Sequence, residues 1–166
     1  MTEGRQVSFQ HFLEKFPTLP LPITLGEDTH HHFSTHNEPL PLLMIEQFII
    51  PIENEEVDEL TEFVPCFRLP NTNDFIAFVY WKAALMNYQY ILATFTPKGL
   101  LIDHKVLAGV YSDGQTVTQS AATILDDWTI VVASGQTSGN DIFYDASSST
   151  TYRRWLQKDG KIVHIV

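Results

Sequence analysis

One predicted hairpin limits most strongly the folds open to this chain. Residues 88–95 and 100–107 are rich in aromatic, β-branched and aliphatic side chains, and the sequence Thr-Pro-Lys-Gly lies between them at 96–99. Pro97 presets φ for the second position of a type I turn, and Gly99 can adopt the left-handed conformation that closes such a turn with a bulge. The segment therefore predicts two antiparallel strands.

Further strands are predicted on both sides of this hairpin, and short links join them. Turn residues mark two links, at 112–115 and at Asp159-Gly160, the dipeptide best suited to a type I′ turn. Residues 75–81 are apolar on both faces, which predicts a central strand covered on both sides. The predicted strands are 63–69, 75–81, 88–95, 100–107, 117–125, 128–133, 150–157 and 161–166, with one longer polar loop at 134–149. This pattern favours a mainly β fold, an antiparallel meander of about eight strands that forms either a curled sheet or a small barrel.

The N-terminal part, residues 1–62, predicts one or two short helices packed on the sheet, together with an extended connection. Residues 8–16 place apolar side chains at helical spacing, with Ser8 as the N-cap and a proline as the stop. Prolines at five positions in 17–41 rule out a continuous helix or a central strand. The alternating apolar residues of 19–25 predict a short extended piece on the edge or face of the body, and the histidine run is predicted to lie in an exposed loop. Residues 42–50 are densely apolar and favour a short helix.

An acidic segment follows, with six acidic residues in 53–62. Val57, Leu60 and Val64 lie at helical spacing and Asn54 is a candidate cap, so a short acidic surface helix or turn is predicted. The segment lacks the alternating oxygen ligands and the central glycine of a calcium loop. A docking patch for a basic protein fits it better, because clustered charge speeds and selects encounters.

The composition indicates one folded domain with an uneven charge. The chain has 166 residues, of which 44% are apolar and 18% charged, which suits a single domain over 1–166. Residues 1–62 carry twelve acidic and two basic side chains, whereas 63–166 carry eight of each, so the net charge of −10 lies in the N-terminal part. Binding of nucleic acid or of an anionic membrane needs a basic surface, and both are disfavoured.

The sequence also predicts a compartment and the state of its one cysteine. No basic region followed by an apolar run opens the chain, and no apolar stretch approaches about 18 residues. A cytoplasmic protein is therefore predicted, although a chain trimmed of an export signal would have the same sequence. Cys66 has no cysteine to pair with and is predicted to be a core residue.

A stretch from Tyr90 to Asp103 resembles a hairpin common in small uncharacterised bacterial β-rich proteins. The shared pattern is Leu-x-Thr-Phe-x-x-x-Gly-x-Leu-Ile-Asp, here at 92–103. In those proteins a Ser/Thr-rich strand, an Asp-containing turn and a terminal Asp-Gly-Lys hairpin follow, and residues 120–129 and 158–161 fit this layout. The resemblance covers residues 63–166. It implies the same meander and carries no function, since its motif is structural.

A histidine cluster is the candidate for metal binding. Neutral imidazole is the commonest transition-metal ligand near neutral pH. The run lies in a proline-rich segment without a cysteine pair, so a solvated loop is the alternative interpretation, and no metal or cofactor is assigned. The residues concerned are His30, His32 and His36, with Glu27, Asp28 and Glu38 as additional oxygen ligands.

No catalytic constellation is found in the sequence. Asp103 and His104 are adjacent in a predicted strand and point to opposite faces, so they cannot form a dyad. The serines at 120, 134 and 147–149 lack a nucleophile-elbow context, and the glycines are scattered singly rather than arranged to cradle a phosphate. A non-enzymatic protein is therefore favoured.

The sequence leaves three functions open. The first is a non-enzymatic binding or protein-interaction protein whose acidic surface docks a basic partner protein. The second is a carrier that holds a small apolar ligand inside a β-barrel, which the two-sided apolar strand around Phe78, Tyr80 and Trp81 suggests. The third is a metal-binding protein or metalloenzyme at the His30–His36 loop.

Overall fold

The fold is an antiparallel meander sheet with short helices at its N-terminal side. The computed structural model describes residues 7–54, 57–138 and 149–165. Within these residues nine strands form one sheet, in which the last eight lie side by side in chain order. The strands are β1 (Ile23–Leu25), β2 (Glu62–Arg68), β3 (Ile76–Ala84), β4 (Asn87–Phe95), β5 (Leu101–Ser112), β6 (Thr116–Ile124), β7 (Thr129–Ser138), β8 (Thr150–Leu156) and β9 (Ile162–Ile165). The sheet is not closed, so the predicted meander is confirmed as an open sheet and not as a barrel.

All described helices precede β2. They are α1 (Phe9–Leu13), α2 (Thr29–His36), α3 (Leu42–Met44) and α4 (Ile50–Glu53), with a π-helical turn (Ile45–Ile49) that joins α3 to α4. The helix predicted over 8–16 is confirmed but shorter, and Ser8 caps it as predicted, since its Oγ accepts a hydrogen bond from the His11 N–H at 3.1 Å. No helix in the described part of the chain is long and apolar enough to cross a membrane.

Helix α2 corrects the prediction of a loop for the histidine run. Its eight residues contain the whole histidine run. No proline occurs between Pro22 and Pro39, so each residue there keeps the backbone N–H that a helix needs. Phe33 fixes the helix on the sheet, because its side chain is buried and its ring centroid lies 5.7 Å from that of Phe67.

The hairpin predicted at 88–107 is confirmed as β4 and β5. The Thr96 N–H donates to the Leu100 carbonyl at 2.7 Å, and the Gly99 N–H donates to the Thr96 carbonyl at 2.9 Å. Gly99 has a φ of +96°, the left-handed conformation that the sequence predicts for it.

The terminal hairpin, β8 and β9, uses the same turn and corrects its predicted type. The Gln157 N–H donates to the Lys161 carbonyl and the Gly160 N–H donates to the Gln157 carbonyl, both at 2.9 Å. Gly160 has a φ of +88°, whereas Asp159 keeps a negative φ. A type I′ turn needs positive φ at both central residues, so the hairpin is confirmed and its predicted type I′ turn is wrong.

Strand β7 is longer than predicted. It continues through Ser138, so residues 134–138, which were expected to begin a polar loop, pair with β6 instead. A hydrogen bond of 3.0 Å between the hydroxyls of Ser120 and Ser134 supports the pairing. Most of the predicted loop, residues 139–148, lies outside the described residues.

Strand β3 separates two apolar clusters, one on each face of the sheet. Val79 and Trp81 belong to the first cluster, and Phe78 and Tyr80 belong to the second. The prediction that this strand is central and covered on both sides is confirmed. Cys66 is fully buried in the first cluster, which confirms it as a core residue, and burial raises the pKa of its thiol.

The sheet forks between β5 and β6. Residues 109–112 of β5 pair with 117–120 of β6. Beyond this point β1 takes the place beside β6, where its three residues pair with 122–124. The Oγ1 atoms of Thr24 and Thr123 lie 2.9 Å apart across this contact. The fork opens a space between β5 and the start of α2.

Candidate functional site

An apolar groove with an acidic rim lies between the α3–α4 segment and the turn that leads into β2. Its volume is about 550 Å³. We call it the acidic groove. Its apolar lining consists of Leu42, Ile45, Ile50, Val57 and Phe63, and its rim of Glu46, Asp58, Glu59 and Thr61.

The helical wall of the groove contains the π-helical turn, and Pro51 explains why. The Ile50 N–H donates to the Ile45 carbonyl, five residues earlier, instead of to the carbonyl four residues earlier. The next residue is Pro51, which has no N–H to donate to the Gln47 carbonyl. In a regular α-helix the proline ring would also clash with that carbonyl. The wider turn relieves this crowding. Ile45 and Ile50 then both contribute to the apolar lining of the groove.

The other wall is a turn that Asp58 holds in shape. Its Oδ1 accepts hydrogen bonds from the Leu60 N–H at 2.9 Å and from the Thr61 hydroxyl at 3.1 Å. Asn54 adopts a left-handed conformation, with a φ of 53°, and caps the C-terminus of α4. The predicted acidic helix or turn is thus a turn in its described part, and Asn54 ends one helix rather than beginning another. Residues 55–56 lie outside the described residues.

A buried ion pair fixes α4, which contributes Ile50 to the groove, on the sheet. The Lys82 Nζ lies 2.6 Å from the Glu53 Oε1, and the Tyr80 hydroxyl donates to the Glu53 Oε2 at 2.6 Å. Burial, and then the charge of Glu53, raise the pKa of Tyr80, so this hydroxyl keeps its proton and serves as a donor. Lys82 lies opposite Phe63, which lines the groove, in the β2–β3 pair.

The charge and exposure of the groove favour contact with another molecule. Its lining includes three carboxylates and no basic side chain among the described residues. Leu42 is 67% exposed, and Leu60 beside the rim is 85% exposed. Exposed aliphatic side chains grouped beside a groove are typical of binding surfaces, and the carboxylates give this one a negative potential.

The histidines that were candidates for a metal site fall into two groups. His30 stacks on Trp81 with 4.2 Å between ring centroids, and its Nδ1 lies 2.9 Å from the Glu27 carbonyl oxygen. His32 and His36 stack on each other, one helical turn apart, at 4.2 Å. Among the described residues, no three His, Cys, Asp or Glu side chains are grouped so that they could hold a metal ion. The structure gives the metal hypothesis no support.

The sequence pointed to the acidic wall of the groove and missed its helical wall. Asp58 and Glu59 belong to the acidic segment that the sequence singled out. Leu42 and Ile45 were assigned to a helix with no defined face, because their spacing fits neither a helix nor a strand. The proline at position 51 is the sequence feature that indicates an irregular turn there.

Comparisons with protein-family models, with curated proteins and with solved structures found no match for the chain. The resemblance of residues 63–166 to small bacterial β-rich proteins stays a prediction.

Proposed function

We propose that the protein is a non-enzymatic interaction protein that binds a basic, amphipathic segment of a partner protein in the acidic groove. The observation behind the proposal is that one cavity of about 550 Å³ combines an apolar floor with a rim of three carboxylates. Aliphatic side chains of a partner gain free energy when they cover such a floor. The carboxylates favour a partner that has lysine or arginine beside those side chains.

The rigid support of the groove suits recognition of a preformed shape. The Glu53–Lys82 pair is almost fully buried, with side-chain exposures of 6% and 9%, so α4 is fixed on β3. A site whose walls are already in place loses little conformational entropy when it binds. An amphipathic helix is the occupant that this arrangement fits, since it presents apolar anchors on one face and charges beside them.

The test uses a fluorescent synthetic helix peptide of leucine and lysine, with the leucines on one face, and the full chain. Fluorescence anisotropy should show saturable binding that weakens at least about tenfold between about 0.05 M and about 0.5 M salt, because salt screens attraction between surface charges. The same peptide with glutamate in place of lysine should not bind. The absence of saturable binding, or binding indifferent to salt, would contradict the proposal.

Matched variants separate the groove from the rest of the surface. Leu42 and Leu100 are 67% and 68% exposed, and of the two Leu42 lines the groove. Leu42→Ser should weaken peptide binding about fivefold and Leu100→Ser should not, since one buried leucine contributes about 1 kcal/mol or more. The double change Glu46→Gln with Glu59→Gln should reduce the salt dependence. Equal effects of the two leucine changes would show binding away from the groove and overturn the proposal.

A further inference from the structure

A second cavity, the aromatic cleft, opens at the fork between β5 and β6, away from the acidic groove. Its volume is about 250 Å³, below the range of about 300–1,000 Å³ that is usual for drug-sized ligands. The sheet provides the floor, and the start of α2 provides one side. The side chains that define it are Glu27, His30, Trp81, Tyr88, Tyr90 and Ser120.

Three nearly parallel rings form the aromatic part of the cleft. His30 stacks on Trp81 with ring centroids 4.2 Å apart and planes 4° apart. Tyr88 lies beside Trp81, with centroids 5.8 Å apart and planes 7° apart. Trp81 is almost fully buried, whereas Tyr88 is 44% exposed, so a fixed inner ring and an accessible outer ring line the same cavity.

Hydrogen bonds hold the polar part of the cleft in place. The Tyr90 hydroxyl donates to the Gly26 carbonyl at 3.1 Å, which ties the end of β1 to β4. The Gln119 Nε2 donates to one carboxylate oxygen of Glu27 at 2.9 Å. These bonds place the carboxylate of Glu27 at the cleft, where Gln119 bonds to one of its two oxygens.

A glycine is required where β5 crosses β4 at the cleft. A Cβ at Gly109 would lie 1.9 Å from the backbone oxygen of Tyr88, so no larger residue fits without moving the strand. This close approach brings β5 down onto β4 next to Tyr88. The narrow floor of the cleft therefore depends on Gly109.

The charges of the cleft select a cation. Among the described residues of the lining, Glu27 is the one charged side chain, and none is a lysine or an arginine. Burial, and then the neighbouring His31, lower the pKa of His30, so its imidazole is neutral near pH 7 and serves as a ring rather than as a competing cation. Aromatic faces attract cations through their quadrupole, and a carboxylate adds a direct charge attraction.

The aromatic share of the lining indicates the kind of cation. Four of the side chains that line the cleft are aromatic rings, those of His30, Trp81, Tyr88 and Tyr90, and ring faces accept hydrogen bonds only weakly. A primary ammonium group has three N–H donors to satisfy, whereas a fully alkylated one has none. The cleft therefore fits a cation with an apolar surface better than a lysine-like group.

We propose that the aromatic cleft binds a small quaternary or alkylated ammonium ion, held between Trp81, Tyr88 and the carboxylate of Glu27. Recognition by several aromatic rings is the usual way in which proteins bind such ions. This site does not depend on the acidic groove, and either one could fail its test without the other.

The test compares choline with its neutral isostere, 3,3-dimethylbutan-1-ol, by isothermal titration of the full chain. Choline should bind saturably, and the isostere at least about tenfold more weakly, because it lacks the charge that the rings and the carboxylate attract. No saturable uptake of choline up to about 20 mM would overturn the proposal, since even weak specific sites reach millimolar affinity. Equal binding of the two compounds would overturn it as well.

Variants then locate the binding. Tyr88→Leu should weaken choline binding about fivefold and Tyr88→Phe should retain it, because the ring and not the hydroxyl makes the contact. Tyr111→Leu is the matched control, since Tyr111 is a similarly exposed tyrosine that does not line the cleft. Glu27→Gln should weaken binding, whereas Glu14→Gln, at an exposed carboxylate that lines neither the cleft nor the acidic groove, should not. Equal effects within either pair would mean that choline binds elsewhere and would overturn the assignment.

Discussion

Asp103 on β5 and Ile162 on β9 are joined by a hydrogen bond, although their strands are not neighbours in the sheet. The Asp103 Oδ2 accepts from the Ile162 N–H at 2.9 Å, and its Oδ1 accepts from the His104 N–H at 2.8 Å. Nearby, the Thr94 hydroxyl donates to the Gly160 carbonyl at 2.6 Å. These bonds tie the β4–β5 hairpin to the β8–β9 hairpin and satisfy backbone groups of the last hairpin.

Removal of the Asp103 carboxylate should therefore destabilise the protein. We expect Asp103→Ala to lower the free energy of unfolding by about 2 kcal/mol, because two hydrogen bonds to a charged acceptor are lost. Asp103→Asn, which keeps one acceptor oxygen, should cost about half as much. Urea titration measures both. Asp74→Ala, at an exposed carboxylate, is the control, and an equal loss there would contradict the role of Asp103.

Neutralising Glu53 should lower the free energy of unfolding more than neutralising an exposed carboxylate does. Glu53→Gln removes a carboxylate that pairs with the buried ammonium of Lys82, and breaking a buried pair typically costs about 3 kcal/mol or more. The double change Glu53→Leu with Lys82→Met removes both charges and should restore a large part of the lost stability. Thermal and urea unfolding of the single and double variants give the comparison. A double variant that is no more stable than Glu53→Gln would contradict this account.

Trp128 has a backbone conformation that normally belongs to glycine. Its φ is +70°. In the β6–β7 turn it takes the same position that Gly99 takes in the β4–β5 turn and Gly160 takes in the β8–β9 turn. Its ring packs against Phe75 with 5.4 Å between centroids, so replacement costs packing. Trp128→Gly should nevertheless be about 1 kcal/mol more stable than Trp128→Ala, because both lose the ring and only glycine relieves the left-handed backbone. The urea midpoints of the two variants test this. A higher midpoint for Trp128→Ala than for Trp128→Gly, the order found at positions with ordinary backbone conformation, would contradict the prediction.

His30 should make the protein less stable in mild acid. Burial and the neighbouring His31 lower its pKa below the usual 6.5, so the folded state holds this proton less tightly than the unfolded state. Unfolding then takes up a proton as the pH falls below about 6.5, and stability decreases in that direction. The urea midpoint of the unmodified protein should be lower at about pH 5.5 than at about pH 7.5. In His30→Gln this difference between the two midpoints should be smaller, because the histidine that takes up the proton is gone. The control is His11→Gln, at an exposed histidine, which should keep the midpoint difference of the unmodified protein. The same midpoint difference in both variants would show that His30 is not responsible.

The strands were predictable because their causes are local. Each hairpin combines a short apolar or alternating stretch with residues that fix a turn, as Pro97 and Gly99 do. The turn at Trp128 shows the limit of such rules, since the structure forms the same turn there without glycine. The histidine run was predicted to be a loop because prolines lie on both sides of it. The prediction was wrong because the stretch between Pro22 and Pro39 has no proline and forms α2.

The site was only partly predictable because its contacts join distant parts of the chain. Lys82 stands out as a charge in an apolar strand, yet its partner Glu53 is 29 residues away and is one of six acids in its segment. Nothing local distinguishes it from the other five. The aromatic cleft depends in the same way on His30 meeting Trp81, which no periodicity indicates.

The fork in the sheet has a consequence for the order in which the chain is synthesised. Thr24 and Thr123, which meet across β1 and β6, are 99 residues apart, so β1 leaves the ribosome long before its partner exists. At about 5–20 residues per second, this delay lasts roughly 5–20 seconds. The segment that waits is also the one that holds the whole net charge of −10, and like charges repel other copies of the same unpaired strand. Repulsion between these charges therefore disfavours pairing of the β1 strands of two nascent chains.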